Sequence, residues 1–192
     1  MSIPGAASPL FLATTAGAAD AFSVSKSLRF NSGDSAHLNR TPSSAGNRRT
    51  WTWSGWVKRA KLDATQHIFE GYTPTDILTF LRFDSDNKLR FASYNGGYNF
   101  QLITDAVYRD TSAWYHIIIV LKTTESTSSN RAKLYVNGVQ VTTWSTEAYP
   151  NPNFEGFINN TNIHYIGKYG NSSARNLGSY LADVHFIDGQ AL

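Results

Sequence analysis

The stretch TWTWSGW, residues 50–56, carries three of the chain's five tryptophans, and Arg48, Arg49, Lys58 and Arg59 flank it. It reads either as an exposed aromatic platform between cations or as the interior of a β-sandwich. Side chains of an extended strand alternate between faces, so Trp51 and Trp53 point one way and Trp56 the other, unless Gly55 marks a bulge that shifts the phase. Each indole offers roughly 150–250 Å² to bury, so three left in water expose on the order of 450–750 Å², against roughly 300–600 Å² for the largest apolar patch of an ordinary monomer. At about 25 cal/mol per Å², an indole kept in water forgoes on the order of 4–6 kcal/mol, whereas stacking on a base returns only about 1–3 kcal/mol. Trp51 and Trp53 are therefore expected inside a core.

The rest of the 192 residues fits that core. Aromatics, Thr, Ser, Asn and Gly are plentiful and Glu, Lys and Met scarce, the balance of a strand-rich protein. Strand-like runs follow one another from Lys26 onward: KSLRFN, AHLN, TWTWSGWVKR, QHIFEG, ILTFLRFD, NKLRFASY, YNFQLI, WYHIIIVLK, RAKLYVN, VQVTTW, IHYIGK and YLADVHFI. Few helices are expected. Asn137-Gly138 between alternating runs predicts a type I′ hairpin, and Ser85 to Asn87 predicts a second turn. WYHIIIVLK is apolar on both parities, which places it mid-sheet with material packed on each face, His116 being expected as a hydrogen-bonded core imidazole. Residues 145–162, with Pro150, Pro152 and many Asn, read as a loop or loose edge. The fold class is all-β, a two-sheet antiparallel jelly-roll sandwich over residues 22–192, and residues 1–21 form an extended Ala/Gly/Ser arm with Pro4 and Pro9.

With no cysteine, neither a disulfide framework nor a thiolate metal site is open to this chain. No run approaches the roughly 20 apolar residues of a membrane helix, so membrane insertion is not expected. Residues 1–61 carry eight Lys/Arg against two Asp, and the remainder nine against twelve acidic residues. That asymmetry is read as solvated arginines in loops and strand ends, with single-strand nucleic-acid binding through Arg48 and Arg49 a distant reading.

In their order, SLRFN, TWTWSGWVKR, WYHIIIVLKTT, AKLYVNGVQV, IGKYG and GSYLADVHFIDGQAL make the chain resemble a laminin G-like domain of the concanavalin A-like lectin/glucanase fold. The resemblance covers residues 27–192. The wording of residues 19–59 and of YLADVHFIDGQAL is also similar to a subgroup in tailed bacteriophages, which implies a virion protein assembled in the bacterial cytoplasm.

Glycosidases of this fold carry Glu-x-Asp-x-x-Glu along one strand, and a retaining mechanism needs carboxylates about 5–5.5 Å apart. Here Glu70, Glu125, Glu147 and Glu155 stand isolated, Asp84 and Asp86 sit in a turn as solvated formers, and no Gly-x-Ser-x-Gly elbow occurs, so no catalysis is expected. Relatives hold calcium between rim loops, which makes Asp76, Asp105, Asp183 and Asp188 candidates only as oxygen ligands. No metal and no cofactor are expected, and Asp183 is read as a structural hydrogen-bonding residue.

Two functions stand ahead. The first is a virion structural protein, for capsid decoration or a tail fibre, that docks on other virion proteins through Ile3, Leu10, Phe11, Leu12 and Phe22 and forms homo-oligomers. The alternative is an adhesin module that binds host polysaccharide. Its candidate residues are Tyr94, Asn95, Tyr98 and Asn99 around Gly96-Gly97, with Tyr149, Asn151, Asn153 and Tyr169 as a second set, because tyrosine joins an apolar face to a polar tip.

Overall fold

A computed structural model describes residues 25–192. Residues 1–24, which include the arm and the candidate docking residues Ile3, Leu10, Phe11, Leu12 and Phe22, lie outside the described residues. Thirteen strands are described: β1 (Leu28–Phe30), β2 (Leu38–Arg40), β3 (Thr50–Arg59), β4 (Gln66–Thr73), β5 (Ile77–Phe83), β6 (Lys88–Tyr94), β7 (Tyr98–Val107), β8 (Trp114–Lys122), β9 (Ala132–Val136), β10 (Val139–Gln140), β11 (Trp144–Ala148), β12 (Ile163–Ile166) and β13 (Ser179–Asp188). One sheet runs β1-β13-β3-β8-β9-β10 and the other β11-β7-β6-β5-β4-β12-β2, every paired neighbour being antiparallel. The chain is an all-β two-sheet sandwich. Its only α-helix among the described residues is the four-residue α1 (Ser128–Arg131).

Trp51 and Trp53 are each 1% exposed between the sheets. Phe91 meets Trp51 edge-on at 6.0 Å, and Phe69 stacks on Trp53 at 6.0 Å. Gly55 does not bulge, because β3 pairs with β8 without interruption from Thr50 to Lys58. The glycine instead makes room. A Cβ there would lie 3.0 Å from the Trp53 ring and 3.2 Å from Val184. Trp56 takes the opposite face and stacks on His116 at 4.7 Å. His116 is therefore a half-buried outer-face ring rather than a core imidazole, because alternation along β8 puts Ile117 and Ile119, not their neighbour, between the sheets. The outer face of β8 is covered only in part. Leu192 donates its backbone N–H to Thr52, whose hydroxyl donates to the Gln190 carbonyl.

The bulge lies across the pair, on β13. Its register with β3 slips between Ala182 and His185, and Asp183 takes a positive φ of 45°. One extra residue reverses the parity. Leu181 turns inward before the bulge, and Val184 and Phe186 turn inward after it. Asp183 is exposed on the bulge, so its part is backbone geometry, not the hydrogen bond expected of it.

The Asn137-Gly138 turn has both residues at positive φ and joins β9 to β10. VQVTTW, however, does not form one strand: β10 ends at Gln140, and Trp144 crosses to begin β11 at the edge of the other sheet. Arg131, expected at a strand start, closes α1, and its guanidinium ties the carbonyls of Glu125, Ser126 and Pro150.

Replacing Trp53 by Ala is expected to cost about 3–5 kcal/mol, and Gly55→Val about 1–3 kcal/mol by crowding the indole. Urea unfolding followed by tryptophan fluorescence measures both. A Gly55→Val protein as stable as the parent contradicts the packing described.

Candidate functional site

Three places carry chemistry: the outer face of the β2-to-β11 sheet, a buried dyad under its covering loop, and a groove between the sheets. On the outer face alternation brings Tyr72 of β4, Leu78 and Phe80 of β5 and Ala92 of β6 into a small cluster with Tyr169, with Tyr94, Ile163 and Tyr165 packed beside it. Tyr169 is 6% exposed, donates to Asp76 at 2.5 Å, and lies under the Arg175 guanidinium at 4.8 Å. It is not a sugar-facing residue, because its own loop presses it onto the sheet.

Beneath it lie His67 and Glu70, both fully buried, with His67 Nδ1 2.6 Å from Glu70 Oε2. Gly170 donates its backbone N–H to the other carboxyl oxygen at 2.7 Å. Glu70 is thus paired, not isolated. Two residues three apart in a strand do not ordinarily face one another. The irregular register between His67 and Phe69 brings them together, and no spacing rule in the sequence announces it. Desolvation pushes the Glu70 carboxyl up to about 8, against the pull of the Gly170 N–H, and desolvation drives His67 well below its ordinary value. A protonated carboxyl beside a neutral imidazole satisfies both conditions without burying a charge.

The β6–β7 hairpin carries the first candidate set at the uncovered border of the same face. Tyr98 is 47% exposed and meets Tyr94 edge-on at 5.4 Å. Arg90 donates to the Tyr98 hydroxyl at 2.8 Å. That arginine is itself held by Asp84, which also accepts from Arg82 at 2.7 Å. Asp84 is 7% exposed, so it is a buried bridge between two arginines and not the solvated turn former expected. Asn95 and Asn99 are exposed on either side of Gly96-Gly97. The structure therefore brings Tyr94, Asn95, Tyr98 and Asn99 together on one rigid hairpin. It does not bring Tyr149 to them: that ring is half-buried and packs on the core, since Ala148 pairs with Gln101 and the next position turns inward beside Phe100. Asn151 and Asn153 are exposed on the loop that follows, apart from the hairpin face.

The groove, of about 570 Å³, opens between β2 and the last residues of β13. Phe69, Ile166 and Phe186 form its apolar floor, with Leu38 at the lip. Three of its polar residues, Asp188, Asn159 and His164, are engaged with one another or with nearby backbone. Asp188 accepts from the Asn159 amide and the Asn47 backbone N–H at 2.6 and 2.8 Å. His164 accepts at Nε2 from the Asn159 N–H, which fixes Nδ1 as the donor to the Asn162 carbonyl.

The cationic residues near the tryptophans are also occupied. Arg48 and Arg49 both reach Glu155, at 3.1 and 2.8 Å. Arg59 is buried, not solvated. It donates to Asn87 and to the Tyr108 carbonyl with its guanidinium 4.2 Å from the Phe83 ring centre, and burial lowers it to about 10. Among the described residues no three His, Cys, Asp or Glu side chains gather where they could hold a metal ion. No helix of the described chain is long and apolar enough to cross a membrane.

Residues 30–191 match the sequence family described as the concanavalin A-like lectin/glucanases superfamily, a laminin G group. No curated protein matches the chain. Among solved structures it is similar to domains LG4-5 of the mouse laminin alpha1 chain (TM-score 0.62, 13% identity, 88% of this chain and 43% of that one). It is similar to a heptameric SAP-like pentraxin from Limulus polyphemus (TM-score 0.57, 19% identity, 81% and 70%). A third is the Ruminococcus gnavus IT-sialidase CBM40 bound to alpha2,3 sialyllactose (TM-score 0.53, 15% identity, 80% and 91%). The chain thus spans less than half of the laminin chain. At these identities the likeness shows the fold.

The dyad gives a signed pH profile. The unfolded pair holds one proton between about pH 4.5 and 6.5, on His67, and the folded pair holds one, on Glu70, so its contribution is flat there. Above 6.5 the unfolded pair loses its proton while the folded pair keeps one until about 8, so stability falls as pH rises, by on the order of 1–2 kcal/mol. In Glu70→Gln the amide replaces that proton, so the decline above pH 6.5 disappears and stability instead falls as pH drops below 6.5 through His67. Thermal unfolding of both proteins from pH 5 to 9 measures this, and parallel curves contradict it.

Proposed function

Because the chain belongs to the concanavalin A-like lectin/glucanase superfamily as a laminin G-like domain, we propose that it is a non-catalytic carbohydrate-binding module that recognises host surface polysaccharide. The observation that carries the reading is the Tyr98 ring, 47% exposed, with its hydroxyl held by Arg90 on a hairpin that also exposes Asn95 and Asn99. A ring fixed before binding loses little side-chain freedom when a pyranose face packs on it, and exposed amides suit sugar hydroxyls. Arg90 shares the one Asp84 carboxylate with Arg82, which holds its guanidinium in place against the Tyr98 hydroxyl. The sialyllactose-bound module among the similar structures supports the class of ligand. The non-catalytic part is supported by Glu70, whose carboxyl is buried and held by His67 and Gly170.

A second reading, a phage virion component that oligomerises and docks through residues 1–21, rests on the likeness of YLADVHFIDGQAL and residues 19–59 to tailed-phage proteins. The two are compatible if the module is displayed on a particle. Deleting residues 1–21 tests the docking part, since a truncated protein that still joins particles at normal stoichiometry removes it.

The binding reading predicts signal on an array of bacterial surface glycans. For the bound glycan, Tyr98→Ala is expected to weaken affinity about tenfold, roughly 1.4 kcal/mol, with little change in stability. Affinity is expected to be nearly constant from 50 to 500 mM salt, whereas phosphate-backbone binding would fall steeply. Calorimetry measures both, and an array without signal, or a Tyr98→Ala protein that binds as the parent does, rejects the site.

A further inference from the structure

We propose that the groove between β2 and the end of β13 is the docking site of this chain's own residues 22–25, laid down as an antiparallel continuation of β1. β13 is used unequally. β3 pairs with it over its whole length, but β1 pairs only with Ser179, Tyr180 and Leu181. The edge from Asp183 to Asp188 therefore has no strand beside it among the described residues, and an open edge is a template for one. The opposite wall, β2, is also an edge strand, with all three residues exposed.

The sequence leading into β1 has the pattern such a strand needs. FSVSKSLRF, residues 22–30, is apolar at Phe22, Val24, Leu28 and Phe30 and polar at Ser23, Ser25, Ser27 and Arg29, with Lys26 the one departure. Phe30 fixes the phase, because it is 4% exposed and joins the core. The same phase puts Val24 and Phe22 on the inner face.

The register then selects their neighbours. Leu28 lies opposite Leu181. Counting outward and allowing the one extra residue of the bulge, Val24 falls opposite Phe186 and Phe22 opposite Asp188. Opposed residues of an antiparallel pair share a face, and Phe186 does turn inward, toward Trp51 and Phe69 at 5.6 and 6.0 Å. Without the bulge Val24 would meet His185, on the wrong face. By the same count Lys26 falls opposite Asp183 at the bulge, and both residues are exposed. The occupant matches what the groove offers: Phe186 is 38% and Leu38 48% exposed, while Asp188, Asn159 and His164 are engaged in bracing loops. Ser25 stands three residues from Leu28, so the segment reaches the groove in its own chain with almost no loop to close.

The chain has no cysteine, which makes cross-linking clean. Ser23→Cys with Ile187→Cys are opposed in this register and face away from the groove floor. Mild oxidation is expected to join them within one chain at least tenfold faster than Ser23→Cys with Val139→Cys, whose partner is 71% exposed on β10 at the far edge of the sheet. In the cysteine-free full chain, the amides of Phe186 and Asp188, which alternate away from β3, are expected to exchange at least tenfold faster once Phe22 and Val24 are both changed to Ser. Equal cross-linking of the two pairs, or unchanged exchange, overturns the proposal. So does cross-linking found only between chains, which would give the groove to a second copy.

Discussion

Parity along two adjacent strands governs this sandwich. β3 sends Trp51, Trp53, Gly55, Val57 and Arg59 inward in an unbroken alternation, and the Trp53 indole lies over the third of these positions, which carries no side chain. β13, its neighbour, changes phase at Asp183. That change brings Val184 against the Trp53 site and turns Phe186 toward Trp51 and Phe69. The core and the groove are two results of the same pairing, one before the phase change and one after it. Loss of the strand's alternation would therefore disturb both together.

The polar interior follows a different constraint, that a buried charge needs a partner or must be given up. Arg59 keeps its charge under a ring of carbonyl and amide acceptors. Asp84 lies between two arginines, and through Arg90 it holds the exposed tyrosine that the binding reading depends on. Glu70 and His67 take the other course and lie side by side as neutral groups beneath the loop that Tyr169 and Gly170 anchor. Recognition at the hairpin thus draws its rigidity from ion pairs in the sheet, while the covering loop rests on a neutral pair.

Much of the fold was legible in the sequence. TWTWSGWVKR and WYHIIIVLK are the described strands β3 and β8, end to end, because both are long β-branched and aromatic runs. The phase of β8, apolar on both parities, was not legible, and His116 fell on the outer face. The Asn137-Gly138 turn was legible for a backbone reason, both residues tolerating positive φ. What escaped depends on contacts between distant segments. The bulge lies on β13 and not at Gly55, since an exposed Asp at positive φ leaves no pattern. The burial of Asp84 and Tyr169 is set by Arg82, Arg90 and Asp76, brought close only by pairing across strands. Of the candidate binding residues, the four on one hairpin stayed together because a local turn holds them, and Tyr149 and Tyr169 parted from them because their positions are set by tertiary packing.

The positive φ of Asp183 also separates what this domain holds fixed from what it can vary. Location of the groove is a property of the main chain, written into one residue in a conformation that Asp, Asn and Gly tolerate best. Its lining is written in side chains that lie beyond that residue and only border the packed interior. Phe186 and Leu38 can accordingly be exchanged for residues of other size or polarity without displacing the cleft they line. The scaffold offers an address whose occupant can be redesigned one side chain at a time.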